Sequence, residues 1–389
     1  MKIKTQDYLK KENQSLVLEL ILNQGPISRA EIAKQTMMSP TSASRIVGSL
    51  LELGLIKEIS LAGNAVGRKA TYFVPNGSSV ISIGVEIDEK QIRIGFMDFL
   101  MECAVQRTFE YISMEPDETV KFIAEKIKQI KKDEGFTFQQ IAGVCVGLPG
   151  LIQNESGFVK LSAQLNWKQV PLGEMLEKEL GFPVFVDNEL KLKALAEFNI
   201  DKVPEKETMA MITFGSGVGS ALITKGEIYR GGGNFSGEVG HTIVDPYGIY
   251  CPCGNFGCLQ TYIAEGFLLD EASKTKPVTC ISQIIDDYEK GEKWATNIID
   301  KAVTYATLTI NNVVCMYNPD TVVLTGNLIE RFPGFRERVF EHTVQKLWTP
   351  INNTFHLRTA KVGEMGVVHG AAMSVHQQFI KNITFSREF

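Results

Sequence analysis

The stretch "VISIGVEIDEKQIRIGFMDFLMECAVQRTFEY", residues 80–111, reads as three strands joined by short turns: blocks of branched and aromatic residues broken by short polar runs. A helix is expected over residues 117–132, where Val120, Ile123, Ile127 and Ile130 share one face. Next come a buried strand, "IAGVCVG", a glycine–proline loop, "LPG", a second helix near residues 172–180 and the strand "PVFVDN". The order β-β-β-α-β-α-β returns after residue 207. There "TMAMITF", "GVGSALIT" and "GEIYRGG" read as strands, long helices follow, and "TVVLTGN" reads as a further strand. One ββα-rich unit occurring twice predicts an α/β body of two similar lobes with a cleft between them.

Composition sets the outer bounds. At 389 residues, 44% hydrophobic and 22% charged, the chain has the make-up of a globular protein of two or three domains. No apolar run with a cleavage site opens it, and no stretch approaches the roughly 18 uninterrupted apolar residues of a spanning helix. A cytoplasmic protein with reduced cysteines and no membrane partner is therefore expected. The net charge of -5 is unevenly shared, because residues 1–77 hold seven Lys and three Arg against one Asp and five Glu. A small basic head on a larger acidic body points to a polyanion partner for the head.

Residues 1–77 carry the punctuation of a winged helix-turn-helix. Ser28, with Glu31 three positions on, forms a capping box that opens one short helix. Ser39 and Pro40 suit the N-cap and first position of the next helix, and Gly54 ends it. Ala43, Ile46, Val47, Leu50 and Leu51 form its inward stripe. Its outward face holds Thr41, Ser42, Ser44, Arg45 and Ser49, small polar groups and one cation suited to a major groove. "NQSLVLELILNQG", with Leu16, Leu20 and Ile21 inward, supplies a third helix. "LIKEISLAGNAVGRKATYFVP" reads as strand, loop, strand: a wing whose tip carries Arg68 and Lys69 for phosphates or the minor groove. The partner this predicts is double-stranded operator DNA, met by Thr41, Ser42, Ser44, Arg45, Arg68 and Lys69. "VPNGSS", residues 74–79, marks the boundary to the next domain.

"HTIVDPYGIYCPCGNFGCLQTY", residues 241–262, crowds three of the seven cysteines into one knuckle. Cys251, Cys253 and Cys258 form C-x-C-x4-C, glycines 254 and 257 permit a tight turn, and His241 offers a fourth donor. Three thiolates and an imidazole match tetrahedral Zn(II), and four protein ligands leave no open position, so a structural metal is expected. Cys103, Cys145, Cys280 and Cys315 lie in apolar surroundings and are expected to fill the core.

On "GEVGH" (237–241), "CPCGNFGCLQ" (251–260), "TFGSGVGSALITKGEIYRGG" (213–232) and "VGLPG" (146–150), the body resembles the ROK family of repressors, open reading frames and sugar kinases. That family has an actin-like, RNase H-like fold, and head plus body resemble its repressor branch. Among repressors, "VDNE" at 186–189 is most similar to the xylose repressors. The resemblance implies a winged helix-turn-helix over 1–77, one lobe over 80–200 with 370–389, and a second over 201–369 bearing the zinc. It implies zinc on His241, Cys251, Cys253 and Cys258, and a monosaccharide met by Asn166, Asn188, Glu189, Glu238 and His241. Zinc on one ring nitrogen of His241 would pin the loop carrying Glu238. Gln260 stands where the family usually has a sugar-binding Glu and is expected to meet a hydroxyl as a neutral amide.

In the family's kinases the first strand turn reads roughly G-x-D-x-G-G-T; here it is "GVEIDEK", residues 84–90. Asp88 and Glu89 put carboxylates where phosphates would lie, at a Coulombic cost. Asn188-Glu189 replaces the family's Asn-Asp, lengthening the arm of the catalytic base. The loop "GSGVG", residues 215–219, reads as strand-turn geometry. The expected protein is a non-enzymatic, sugar-responsive repressor that binds its operator as a homodimer or tetramer. An ATP-dependent sugar kinase and a regulator sensing a protein partner are the alternatives.

Overall fold

The computed structural model describes residues 6–60, 71–111, 115–352 and 354–383. The head comprises α1 (Gln6–Gln24), β1 (Ile27–Ser28), α2 (Arg29–Gln35), α3 (Pro40–Glu52), β2 (Ile56–Ser60) and β3 (Thr71–Pro75). Strand β3 lies between β1 and β2 and is antiparallel to both. The expected caps are present. Glu31 N donates to Ser28 Oγ at 3.3 Å while Ser28 N donates to Glu31 Oε2 at 2.9 Å. Ser39 Oγ accepts from Ser42 N at 3.1 Å, and Pro40 follows it in the first helical position. Helix α3 buries Ala43, Ile46, Val47 and Leu50, and Leu51 packs half-buried on the same core.

Helix α1 begins earlier than the sequence suggests; Ile21 faces inward as expected and Leu20 packs on the core's edge, but Leu16 faces out. Gln14, Val17, Leu18 and Ile21 are buried at i, i+3, i+4, i+7 spacing, whereas Leu16 is 45% exposed and Leu20 only half-buried. The long helix, not the short window of leucines, fixes which stripe faces the core. That core also takes in Val80 and Phe99 beyond the head and Ile380 and Ile383 from the end of the chain.

The body follows. Strands β4 (Ile81–Ile87), β5 (Gln91–Met97) and β6 (Cys103–Glu110) lead to α4 (Pro116–Asp133) and β7 (Ile141–Leu148). Three short strands, β8 (Leu151–Gln153), β9 (Phe158–Ser162) and β10 (Trp167–Val170), precede α5 (Leu172–Leu180), β11 (Val184–Asn188) and α6 (Glu189–Ile200). The second half has β12 (Thr208–Phe214), β13 (Val218–Thr224), β14 (Glu227–Ile228), α7 (Glu265–Ser273), α8 (Ile281–Glu289) and α9 (Lys293–Tyr317). It ends with β15 (Thr321–Thr325), α10 (Asn327–Glu330), α11 (Pro333–Lys346), β16 (His356–Thr359) and α12 (Gly366–Asn382).

Two five-stranded sheets result, ordered β11-β7-β4-β5-β6 and β14-β13-β12-β15-β16. In each, the first strand pairs antiparallel with the second and parallel with the fourth, which is the duplication the sequence predicts. The "GSGVG" run is the turn of the β12–β13 hairpin, in which Phe214 pairs with Val218. "GEIYRGG" keeps strand pairing only at Glu227 and Ile228, because the glycines that follow leave the ladder. The small sheet β10-β9-β8 was not expected; its strands are short and pair only with one another. The chain divides into two compact units, Met1–Asp187 with Val367–Phe389, and Asn188–Gly366.

Of the four cysteines expected in the core, only Cys145 is buried. Cys103 opens the edge strand β6, Cys280 stands at the N-cap position of α8, Cys315 lies on an outward position of α9, and all three are exposed. Apolar neighbours in sequence do not bury a residue whose element turns it to solvent.

Candidate functional site

The cysteine knuckle is held from three sides. Within it, Cys251 N donates to Asn255 O at 2.8 Å and Gly254 N to Cys251 O at 2.9 Å. Gly257 lies at φ 64°, and a Cβ there would come within 1.5 Å of Asp245 O, so only glycine lets the two arms close. Behind it, Tyr262 donates its hydroxyl to Asp245 Oδ2 at 2.9 Å and stacks on Tyr305 with ring centroids 4.4 Å apart. Burial and Asp245 together push the Tyr262 phenol up to about 12, so this bond keeps its proton.

The fold brings the four expected ligands together. Single donor atoms of His241, Cys251, Cys253 and Cys258 all lie within 4.8 Å of one another. Cys251 Sγ is 3.8 Å from His241 Nδ1, and Cys253 Sγ is 3.6 Å from Cys258 Sγ. A tetrahedral ion with ~2.3 Å bonds to sulfur sets its sulfurs about 3.8 Å apart, which is close to the two shorter spacings. The Asn255 backbone N–H draws the Cys253 thiol down to about 7, whereas burial and the neighbouring thiols push Cys258 up to about 12. Thiols this crowded cannot all ionise unaided; a dication among them supplies the charge that lets them do so.

Glu238 lies one turn before His241. The carbonyl of Gly237 accepts from Ser220 N at 2.7 Å, which docks the loop on β13. Gly237 itself sits at φ 98°, where a Cβ would meet Ser220 O at 1.9 Å. His241 N then donates to Glu238 O at 3.1 Å. Glu238 is exposed, yet the protein around it raises its carboxyl above the ordinary range, against the opposing pull of His241 and Lys191.

Helix α6 brings the second group to the same unit. Asn188 is its N-cap, its Oδ1 accepting from Leu190 N at 3.0 Å and Lys191 N at 3.3 Å, and Glu189 occupies the first helical position. The cap thus uses the Asn188 oxygen, and the helix dipole favours the Glu189 charge. Sequence reasoning passed over Lys191. It is 3% exposed and donates to the Asn234 carbonyl, so α6 holds the loop that leads to Glu238. Its position between Leu190 and Leu192 is a hint only in retrospect. Asn188, Glu189, Glu238 and His241 therefore belong to one unit, while Asn166 belongs to the other, exposed at φ 55° between β9 and β10.

In the head, Thr41, Ser44 and Arg45 are exposed on α3 and Ser42 is half-buried at its start. Arg68 and Lys69 lie outside the described residues. Two cations the sequence reading did not single out sit beside this face. Arg29 and Lys34 line the same shallow concavity as Ser44, and Arg29 is braced over the Phe73 ring and by Glu58 at 3.2 Å.

A winged helix-turn-helix joined to a duplicated, two-lobed actin-like body defines the class. Residues 82–378 match the ROK family and residues 11–63 the MarR family. The chain belongs to the ROK family. It is 25% identical over 385 residues to the xylose repressor of Bacillus subtilis, covering 99% of this chain and 100% of that one. It is 27% identical over 334 residues to the N-acetylglucosamine repressor of Escherichia coli O157:H7, covering 83% and 82%. In fold it superposes at a TM-score of 0.81, with 22% identity, on a ROK family transcriptional regulator described as a homologue of the E. coli MLC protein, covering 96% of this chain and 97% of that one. Among the described residues no helix is long and apolar enough to cross a membrane.

Proposed function

We propose that the chain is a cytoplasmic, sugar-responsive transcriptional repressor that binds operator DNA as a homodimer. The observation that carries this is the union, in one chain, of an exposed polar recognition helix with a unit that sets Glu238 one turn from a cluster of one histidine and three cysteines. In the head, Thr41, Ser42, Ser44 and Arg45 read base edges, while Arg68, Lys69, Arg29 and Lys34 meet phosphates. In the body, Zn(II) on His241, Cys251, Cys253 and Cys258 cross-links the knuckle and stiffens it. Asn188, Glu189, Glu238 and His241, which share one unit, bind a monosaccharide, a carboxylate being suited to paired hydroxyl donors. The names of the relatives put a pentose and an N-acetylhexosamine first among the sugars to test.

Against the kinase reading stands Glu86, where the kinases' first-strand turn carries an acidic group. Glu86 is paired with Arg93 at 2.8 Å, both side chains at most 12% exposed, so its charge is already spent inside the protein. Duplex DNA selected from a random library by the full-length protein, then titrated by fluorescence anisotropy with D-xylose, N-acetyl-D-glucosamine and D-glucose, tests the proposal. The expected result is specific binding that one of the sugars weakens or strengthens, with Arg45→Ala losing about 1–3 kcal/mol of DNA affinity at unchanged thermal midpoint. Turnover of ATP on any of these sugars, with no selected DNA, supports the kinase instead.

A further inference from the structure

We propose that Gln260 is a positioning residue of the metal centre: its side-chain amide donates to the Cys251 sulfur and holds that ligand for the metal. The inference rests on the reading that the histidine–cysteine cluster binds zinc, and extends it to a residue outside the ligand set.

Gln260 Nε2 lies 3.1 Å from Cys251 Sγ. Cys251 is fully buried, so water does not solvate its sulfur, whereas Cys253 is exposed and also receives the Asn255 N–H. Three thiolates and a neutral imidazole on one dication leave a net negative charge, and each N–H aimed at a sulfur offsets part of it. Cys251 and Cys258 are both shut off from water, and for Cys251 the donor inside the protein is Gln260.

The backbone aims the side chain. Gln260 lies in the 3-10 turn Leu259–Tyr262, whose N-cap is the ligand Cys258. Its own carbonyl accepts from Ala264 N at 2.9 Å, and two residues on, Tyr262 is bound to Asp245. From this anchored turn the side chain reaches across to the other arm of the knuckle, nine residues back, tying Cys251 to the segment that carries Cys258. An ionised acidic side chain of the same length has no N–H to give the sulfur, and an apolar one leaves it without a donor. With one N–H directed at sulfur, Gln260 still has its carbonyl oxygen and second N–H for another partner.

The experiment uses full-length protein purified with its native metal. Zinc content is measured first, then zinc transfer to the chromophoric chelator 4-(2-pyridylazo)resorcinol for the wild type, Gln260→Met and Gln260→Glu. Cobalt(II)-substituted forms are compared by their sulfur-to-metal charge-transfer absorption, which reports electron density at the thiolates and which a merely structural change elsewhere would not move. The expected result is one zinc per wild-type chain, release about 10- to 100-fold faster in both variants, and a shifted charge-transfer band in Gln260→Met. A wild type that carries zinc, with release rates and cobalt spectra unaltered in both variants, overturns the assignment of Gln260 alone. A wild type without zinc overturns the metal reading and this inference with it.

Discussion

At the scale of single residues, each part of the site has a physical cost that a substitution exposes. Cys253 is the exposed member of the ligand set, so Cys253→Ser removes one donor while disturbing little packing. Metal analysis should find zinc lost and calorimetry a lowered melting point; a variant that keeps both would show the cluster to be incidental. His376 behaves differently. Burial lowers its imidazole to about 4, its ring packs 5.4 Å from Phe99, and its buried Nδ1 has no hydrogen-bond partner among the described residues. The unfolded chain takes up this proton near pH 6.5 and the folded chain only near 4. The contribution is therefore intact above about pH 6.5 and drains as pH falls toward 4, by up to about 3 kcal/mol. Denaturant titrations at several pH values should show His376→Leu with a flatter profile than the wild type across that window; parallel profiles would contradict the assignment. Residue-level chemistry was legible in the sequence where the partner is near. The caps at Ser28 and Ser39 and the C-x-C-x4-C knuckle are of this kind. Lys191 finds Asn234 43 positions away, and no local pattern announces that.

At the scale of elements, α3 was readable because capping, proline and apolar stripe agree in one short window. In α1 only Leu16 was misplaced, because the inward face is chosen by what packs on it, and that includes α12. Ile380 and Ile383, at and just past the end of α12, join the head's core, and Ser15 Oγ donates to Ile380 O at 2.7 Å. Ile380→Ala should cost about 2–4 kcal/mol. Amide hydrogen exchange followed by mass spectrometry should show the loss in α1 and α3 first, with β12 and β13 keeping wild-type protection. Equal loosening of both regions would mean that α12 supports the whole chain and not the head in particular. The small sheet of β8, β9 and β10 escaped the sequence because three-to-five-residue strands carry too little alternation to stand out.

At the scale of the whole molecule, the duplication was the most legible feature. Two passes through the same strand order leave a repeat in the hydrophobic pattern even where the residues differ. The uneven charge, a basic head on an acidic body, accords with DNA meeting the head and a neutral ligand meeting the body. If both bind one chain and are coupled, thermodynamics requires the coupling to be the same in either direction. The most direct measurement is the affinity of the responsive sugar, by calorimetry, with and without saturating operator duplex. The account predicts a change of about 5- to 150-fold, equal to the factor by which the sugar changes DNA affinity. A sugar affinity that operator DNA leaves untouched would contradict it.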